Sequence, residues 1–242
     1  MSEQTNHVDA LANHLKEKVR KTGWYSKLNY FFNSDDLIEI FNKLLIESNR
    51  SGKITPKMAL VFDPLIRTNY DDLKVVIVND YPLPFLNKSD GVPFSSTFKS
   101  ATTTQIFFEY FFPEIKSLVK EDLENALILA HKKLTDQGFL FINFSVTTTV
   151  NKGSLRHHSI WKNYMEMLLD VINFHKNDVL IVSLSDHINE AVKASTSRQH
   201  FIGIENPRRA LFMKSEWRTE GLLEKIQLHF PEVNLSLNTD PL

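Results

Sequence analysis

The fold of this chain is decided by the stretch LKVVIVNDYPLPF, residues 73–85. Residues 73–78 are a short, mostly apolar and β-branched run, which is typical of a strand buried on both faces of a parallel sheet. Asp80 follows in a proline-rich loop, where a helix cannot begin at once. Ligands of open α/β sheets bind beyond the carboxyl ends of the strands, so Asp80 is a candidate for chemistry. A plain strand-ending turn remains the alternative interpretation.

Length and composition limit the number of domains, the possible partners and the available chemistry. A chain of 242 residues with 42% hydrophobic content can bury a full core, so we expect one domain over residues 1–242, with an N-terminal helical part over 1–53. The net charge of −1 means that a nucleic acid would have to meet a local basic surface. The absence of cysteine excludes disulfides, thiolate nucleophiles and cysteine-ligated metals.

The amino terminus has no apolar signal core, and no apolar run in the sequence approaches the length needed to cross a membrane. We therefore expect a soluble protein with no membrane partner. Its expected location is the cytoplasm for a bacterial or viral source and the nucleus for a eukaryotic one.

Strand-like and helix-like segments alternate along the rest of the chain. Further buried-type strands are predicted at residues 139–143, 179–184 and 201–204. Helices are predicted at residues 8–20, 37–45, 106–118, 122–134 and 161–174, and residues 95–104 are predicted to form a polar loop. This alternation predicts an α/β protein of the three-layer α/β/α class with a central four-stranded parallel sheet.

Polar residues follow the predicted strands at the point where each strand ends: Asp80, Asn143, Ser185 and Asn206. Because the carboxyl ends of parallel strands meet at one edge of the sheet, we expect these side chains to lie together. The same edge is predicted to gather cationic side chains, namely Lys152, Arg156, His157, His158, Arg198, Arg208, Arg209, Lys214 and Arg218. Such bunching favours phosphate contact, with a solvated surface as the plainer alternative.

The order of these motifs resembles the uracil-DNA glycosylase superfamily from about residue 54 to residue 230. In that family one strand ends in Gly-Gln-Asp-Pro-Tyr-His, a Phe follows, another strand ends in Asn, a helix begins with Trp, and a last strand leads into His-Pro-Ser-Pro-Leu-Ser. This chain has, in the same order, VNDYPL at 78–83, GVPF at 91–94, FIN at 141–143, Trp161 and ENPRRA at 205–210. The Gly-Val-Pro-Phe stretch and the place of His157 before Trp161 are similar to divergent viral members.

The resemblance implies a DNA glycosylase that turns a pyrimidine nucleotide out of the stack before breaking its glycosidic bond. By this resemblance, Asp80 stabilises the sugar cation and orients water, while Asn206 meets the O2 atom of the base. Phe94 stacks on the base and Asn143 reads its pairing edge. The implied base-binding residues are Asn79, Pro82, Phe94 and Asn143.

The same resemblance implies a DNA-contacting set and the chemistry around it. The DNA-binding candidates are Thr102, Thr103, Thr104, His157, Ser185, Arg208, Arg209 and Leu211. A side chain near residues 210–211 would fill the place of the flipped nucleotide. We expect DNA as the partner, a monomer, and neither a cofactor nor a metal in the reaction.

This chain departs from the family pattern at three places. Asn206, a neutral amide, stands at the place of the family's catalytic His, although another branch of the superfamily has Asn-Pro there. Pro82 stands at the place of the Tyr that closes the pocket beside the C5 atom of the base, unless a one-residue slip gives that role to Tyr81. Residues 102–104, all Thr, replace a Pro-Pro-Ser stretch, and their hydroxyl groups could still meet phosphate.

Three functional interpretations follow. The first is a glycosylase whose pocket, opened at Pro82, accepts a 5-substituted pyrimidine such as a hypermodified base of viral DNA. The second is ordinary uracil excision in base-excision repair. The third is a catalytically silent DNA-binding protein that keeps the fold. Retention of Asp80, Phe94 and Asn143 together favours an enzyme.

Overall fold

The buried run at the centre of the chain forms a strand, as its β-branched composition predicts. The computed structural model describes residues 3–85, 88–95 and 102–237. Its strands are Ile54–Thr55 (β1), Val75–Asn79 (β2), Phe139–Asn143 (β3), Thr148–Thr149 (β4), Leu180–Ser183 (β5) and His200–Gly203 (β6). The predicted strands at 139–143, 179–184 and 201–204 are thus confirmed to within two residues at each end.

The four longer strands form one parallel sheet in the order β3-β2-β5-β6. In this sheet Asn79 stands directly beside Asn143, and Val78 stands beside Ser183. The carboxyl ends of the strands therefore share one edge, where the polar side chains accumulate. The two short strands, β1 and β4, pair antiparallel in a separate ribbon that the sequence analysis did not predict.

Helices cover both faces of the sheet. They are Glu3–Val19 (α1), Trp24–Lys27 (α2), Asn29–Asn33 (α3), Asp36–Ser51 (α4), Asp63–Arg67 (α5), Thr102–Phe111 (α6), Lys120–Asp136 (α7), His158–His175 (α8), Asp186–Ser195 (α9), Pro207–Met213 (α10) and Leu222–His229 (α11). Short 3-10 turns lie at Arg20–Thr22, Met58–Leu60, Pro113–Ser117 and Leu155–His157. Among the described residues, no helix combines the length and apolarity required to cross a bilayer.

Two predicted boundaries around α6 were wrong. The helix predicted at 106–118 ends at Phe111, and a 3-10 turn begins at Pro113, because proline has no backbone N–H for a continuing helix. Residues 102–104, predicted to end a polar loop, form the first turn of α6 instead. The part of that predicted loop between residues 96 and 101 lies outside the described residues.

The side chains of β2 divide between two apolar cores. Val76 and Val78 pack with residues of α1–α4, α8 and α9 on one face of the sheet. Val75 and Ile77 pack with α6, α7 and α11 on the other face, in a core rich in phenylalanine. Alternate residues of a strand point to opposite faces, so a strand that is apolar throughout is buried on both sides. The predicted three-layer α/β/α class with a four-stranded parallel sheet is confirmed.

Candidate active site

The carboxyl edge of the sheet brings the polar strand-end residues together. Asn79 ends β2 and Asn143 ends the neighbouring β3, while Ser185 and Asn206 follow β5 and β6. The side chain of Asn206 donates a hydrogen bond to Asn79, and the Ser185 hydroxyl group acts on the Asp80 carboxyl group by lowering its pKa. Asp80, Asn143, Ser185 and Asn206 thus lie at the same edge of the sheet, with Asn143 and Asn206 linked through Asn79.

Three asparagines of this cluster form a continuous line of hydrogen bonds, which we call the amide chain. The backbone N–H of Arg208 donates to Asn206 Oδ1 (2.9 Å), and Asn206 Nδ2 donates to Asn79 Oδ1 (3.0 Å). Asn79 Nδ2 donates to Asn143 Oδ1 (2.8 Å), and Asn143 Nδ2 donates to the carbonyl oxygen of Gly91 (3.1 Å). A backbone N–H can only donate and a carbonyl can only accept, so both ends fix the direction of every amide between them.

After the hydrogen bonds of the amide chain are made, a small and defined set of hydrogen-bonding groups is left for a ligand. Asn79 and Asn143 are buried, and the second Nδ2 hydrogen of Asn79 goes to the carbonyl oxygen of Tyr81. The amide of Asn143 retains one hydrogen on Nδ2 and one lone pair on Oδ1. Asn143 therefore presents one donor and one acceptor in a fixed order.

A small cavity of about 30 Å³, partly open to solvent, which we call the inner cavity, lies against the amide chain. The predicted base-binding residues all line it, and so do Tyr81, Thr103, Thr104, Asn206 and Arg208. A cavity of this size holds about two water molecules, so it must widen to admit a pyrimidine.

Phe94 supplies an aromatic wall of the inner cavity. Its ring stacks on Phe107 with the centroids 4.2 Å apart and the planes 7° from parallel. Its backbone has a φ of 58°, in the left-handed region that residues other than glycine rarely adopt. Backbone strain of this kind is concentrated at functional sites, where the surrounding structure holds it in place.

A larger open space, the outer cleft, adjoins the inner cavity and has a volume of about 700 Å³. Its lining includes Asp80, Ser185, His187, Arg208 and Phe212. Within the described part of the chain, Asp80 Oδ1 is buried and has no hydrogen-bond partner. Burial raises the pKa of Asp80, while the hydrogen bond from Ser185 and the positive charge of Arg208 act in the opposite direction.

Tyr81 and Arg208 form the partition between the two spaces, since both residues line both of them. Arg208 Nη1 lies 3.1 Å from the Tyr81 hydroxyl oxygen, and the guanidinium carbon lies 5.2 Å from the centre of the Tyr81 ring. Tyr81 is also tightly seated against Gly153, where an added Cβ would lie 2.6 Å from Tyr81 Cε2. Pro82 is buried beside it, so both candidates for the residue next to the base C5 atom line the inner cavity.

The predicted DNA-binding residues divide between cleft, cavity and core. Arg209 is exposed and pairs with Asp186 (3.3 Å) and Glu205 (3.1 Å) at the rim of the outer cleft. Ser185 is buried and caps α9 by accepting a hydrogen bond from the His187 backbone N–H. Thr103 and Thr104 face the inner cavity, and the side chain of Thr102 lies outside the described residues.

His157 and Arg198 occupy positions that do not suit phosphate contact. His157 is buried, and its two ring nitrogens lie 3.0 Å and 3.2 Å from the hydroxyl groups of Thr147 and Thr149. That environment favours a packing role for His157. The expectation that Arg198 joins the carboxyl edge was wrong, because Arg198 precedes β6 and stacks over Phe174 at 4.4 Å.

An exposed apolar tip ends α10 beyond the arginines. Leu211 is 40% exposed, Phe212 85% and Met213 63%. The sequence analysis named Leu211 but missed Phe212, the more exposed side chain and the one that lines the outer cleft. The signal available in the sequence was the unbroken apolar run at 210–213 directly after two arginines.

Known proteins resemble this chain in sequence and in structure. No family model matches it. The uracil-DNA glycosylase of Desulfitobacterium hafniense is 25% identical over 185 residues, which cover 76% of this chain and 80% of that protein. The uracil-DNA glycosylase of Clostridioides difficile is 23% identical over 184 residues, which cover 74% of this chain and 78% of that one.

Two solved structures share the fold. Mimivirus uracil-DNA glycosylase superposes with a TM-score of 0.60 at 20% identity, covering 80% of this chain and 71% of that one. The wild-type UNG of Nitratifractor salsuginis superposes with a TM-score of 0.61 at 16% identity, covering 90% of this chain and 96% of that one. The motif order and the relatives support a divergent member of the uracil-DNA glycosylase superfamily, and the two solved structures share the fold of this chain.

Proposed function

We propose that this DNA glycosylase binds a pyrimidine nucleotide turned out of DNA and hydrolyses its N-glycosidic bond. Water adds to C1′ of the sugar, the C1′–N1 bond breaks with its electrons going to the base, and an abasic site remains. The barrier falls when preorganised groups meet positive charge on the sugar and negative charge on the base. The observation that carries the proposal is the buried Oδ1 atom of Asp80, which has no hydrogen-bond partner among the described residues and belongs to a residue that lines the outer cleft, beside a directed amide chain at the inner cavity.

Asp80 is assigned to the sugar side of the reaction. Its Oδ1 atom is buried but has no protein donor among the described residues, so it is available to water or to a developing cation. A carboxylate in a poorly solvated site interacts more strongly with such a cation than one in water does. The Ser185 hydroxyl group and Arg208 favour the ionised form that this role requires.

Asn206 is assigned to the O2 atom of the base. It borders both the inner cavity and the outer cleft, as a group reaching the base near its glycosidic bond must. One Nδ2 hydrogen is engaged by Asn79, and the other is available to donate to O2. A neutral donor can stabilise the departing base without changing its own protonation state.

The direction of the amide chain determines which pairing edge fits. If Asn206 is at O2, the side-chain oxygen of Asn143, which lies towards Asn79, faces ring atom N3 of the base. The side-chain nitrogen of Asn143, which lies towards Gly91, faces position 4. Asn143 therefore offers an acceptor, Oδ1, to N3 and a donor, Nδ2, to position 4. Uracil offers N3–H and O4, which match both groups, whereas cytosine offers a lone pair and an amino group, which oppose both. We therefore assign the substrate to pyrimidines with oxo groups at positions 2 and 4.

The C5 side of the base supports two candidate substrates. Pro82 is smaller than the Tyr of the family pattern, which favours a uracil that carries a substituent at C5. Tyr81 lines the same cavity and is held by Arg208, which favours plain uracil and excision repair. Both candidates share the dioxo edge and differ only beside C5.

The edge assignment is tested with duplex oligonucleotides that carry uracil, 5-hydroxymethyluracil or 5-hydroxymethylcytosine, followed by detection of abasic sites. We expect release of the two uracil-type bases and rejection of the cytosine-type base by about 10³-fold or more, because two buried groups would be mispaired. Asn79→Ala removes one of the two partners that orient Asn143, and the Gly91 carbonyl oxygen remains as the other, so this discrimination should fall only in part, by about tenfold. Asn163→Ala, at an exposed position on α8, is the control.

Preferential release of the cytosine-type base would contradict the assigned direction of Asn143. The C5 question has its own measurement, the ratio of kcat/KM for 5-hydroxymethyluracil to that for uracil. Pro82→Tyr should lower this ratio if Pro82 leaves space beside C5, because overlap excludes only the substituted base. A wild-type preference for uracil that Pro82→Tyr leaves unchanged would favour Tyr81 as the residue beside C5.

A further inference from the structure

A second cluster of chemically capable side chains lies at the opposite edge of the sheet. Asp178 precedes β5, His200 begins β6 and His229 ends α11. Asp80 and Ser185 follow the carboxyl ends of β2 and β5. Asp178 and Ser185 lie on either side of β5 and are seven residues apart in sequence, which at a rise of roughly 3.3 Å per residue separates the cluster from the candidate active site by about 20 Å.

Both histidines direct a ring nitrogen at the same carboxylate oxygen. His200 Nε2 lies 3.4 Å from Asp178 Oδ1, and His229 Nδ1 lies 3.6 Å from it. The ligand atoms of the three residues all lie within 4.8 Å of one another. Zinc bonds of about 2.0–2.2 Å place neighbouring ligands of a tetrahedral site about 3.3–3.5 Å apart. The two nitrogen–oxygen distances already lie close to that spacing.

We propose that Asp178, His200 and His229 bind a divalent transition-metal ion of the zinc type. Two imidazoles and one carboxylate are a donor set that suits zinc, and a tetrahedral ion would complete its shell with water. With neutral imidazoles the cluster carries the single negative charge of Asp178, which attracts a dication.

The competing interpretation is an ordinary ion pair between Asp178 and one protonated histidine. A neutral imidazole can also donate its N–H to a carboxylate, but the two contacts, at 3.4 Å and 3.6 Å, are longer than ordinary N–H···O hydrogen bonds. The imidazole centroids of His200 and His229 lie 3.9 Å apart, so protonation of both rings would bring two like charges into contact. A metal ion accounts for both nitrogens, since each donates a lone pair and neither needs a proton.

The expected role of the ion is to join α11 to the sheet. The ligands come from the residues before β5, from β6 and from the last turn of α11, so one ion would link three elements. Asp178 and His200 have side chains 53% exposed, which leaves the site open to metal from solution. Because the cluster is remote from Asp80, metal binding should change stability and leave base release unchanged.

The test uses the full chain, freed of metal by chelation and then titrated with Zn²⁺. Saturable binding should raise Tm by about 5–10 °C at a hundredfold excess over Kd. Co²⁺ should give the visible absorption of a tetrahedral site. Both signals should be lost in His200→Ala and in the isosteric Asp178→Asn, and kept in His14→Ala, which removes an exposed histidine from α1.

A chain that binds neither ion, or a Tm shift that persists in both His200→Ala and Asp178→Asn, would overturn the proposal. Folding of each variant is checked by circular dichroism, and Asp178→Asn provides the answer if His200→Ala does not fold. The result is independent of the proposed glycosylase reaction, because the readouts are metal binding and stability.

Discussion

Asp80 and Asp90 both lie in the segment between β2 and α6, and their carboxyl groups differ in their hydrogen bonding. Asp90 is buried and accepts hydrogen bonds from the Arg67 guanidinium group, the Ser95 hydroxyl group and the backbone N–H of Val92. Asp80 has one oxygen that is buried and has no partner within the described residues. The first carboxylate is satisfied by the protein, and the second is not.

The difference separates a structural role from a chemical one. A buried charge normally acquires partners, because leaving a buried polar group without them destabilises the fold. Partners around Asp90 hold the loop that carries Phe94. The missing partner at Asp80 costs stability, which is the pattern expected when the partner is a substrate. Three measurements test this contrast.

The largest effect is expected for Asp80→Asn. The amide cannot supply negative charge to the sugar cation, so the rate of base release should fall about 10²–10³-fold, while DNA affinity changes little. Removing a buried charge whose pKa is raised on folding should leave Tm unchanged or higher. Single-turnover base release, DNA binding and thermal unfolding are the measurements.

Asp170→Asn, at an exposed position on α8, is the control for this change and should alter none of the three quantities. Undiminished base release in Asp80→Asn would remove Asp80 from the chemistry. Activity should be lost at a higher pH than for an enzyme that depends on an ordinary aspartate. The reason is that burial raises the pKa of Asp80, and the ionised form is lost as the pH falls through that pKa.

The second effect is expected for Asp90→Ala, and it is one of stability. Arg67 and Ser95 would lose their common acceptor, which should lower the free energy of unfolding by about 3 kcal/mol. Urea unfolding measures the change. Activity per folded molecule should fall less than that of Asp80→Asn. A stable but inactive Asp90→Ala protein would reverse the proposed division of roles.

The smallest effect concerns His131, which lies under the same loop. Burial lowers the pKa of His131 to about 4, and Nε2 has no partner among the described residues. In the unfolded chain His131 becomes protonated below its ordinary pKa near 6.5. In the folded chain His131 stays neutral until the pH falls to about 4. Stability should therefore fall by about 2 kcal/mol from pH 7 to pH 5.

His131→Phe should remove that part of the pH dependence, since the His131 ring packs against Phe141 with the ring centroids 4.8 Å apart and a phenyl ring preserves the contact. The measurement is urea unfolding at both pH values. An equal loss of stability in wild type and His131→Phe would place the titrating group elsewhere.

The strands could be predicted from the sequence because burial on both faces demands unbroken apolar runs, as at 75–78 and 139–142, whereas their order in the sheet was not predicted. The polar positions at the strand ends could be predicted as well, since topology alone brings them to one edge. The boundaries of α6 were missed because its aromatic pattern continues past Phe111, and the effect of Pro113 was overlooked.

The amide chain and the metal-type cluster could not be predicted from the sequence. The direction of the chain depends on distances between side-chain atoms and on the backbone groups of Arg208 and Gly91 at its two ends. Asp178, His200 and His229 are too far apart in sequence to form a recognisable ligand motif. Only the parallel order of β5 and β6 and the position of α11 bring them together.

Tyr81 and Arg208 both line the narrow inner cavity and contact each other. A base that enters the cavity by separating these two side chains must break that contact. A free base must separate the two side chains with its own contacts alone. Its apparent affinity is the intrinsic affinity multiplied by the fraction of protein molecules that are already open. If Arg208 binds DNA as predicted, a nucleotide within DNA would also bring phosphates that compete with the Tyr81 hydroxyl group for the guanidinium group. Opening is thereby linked to polymer binding, so free base should be a weak product inhibitor.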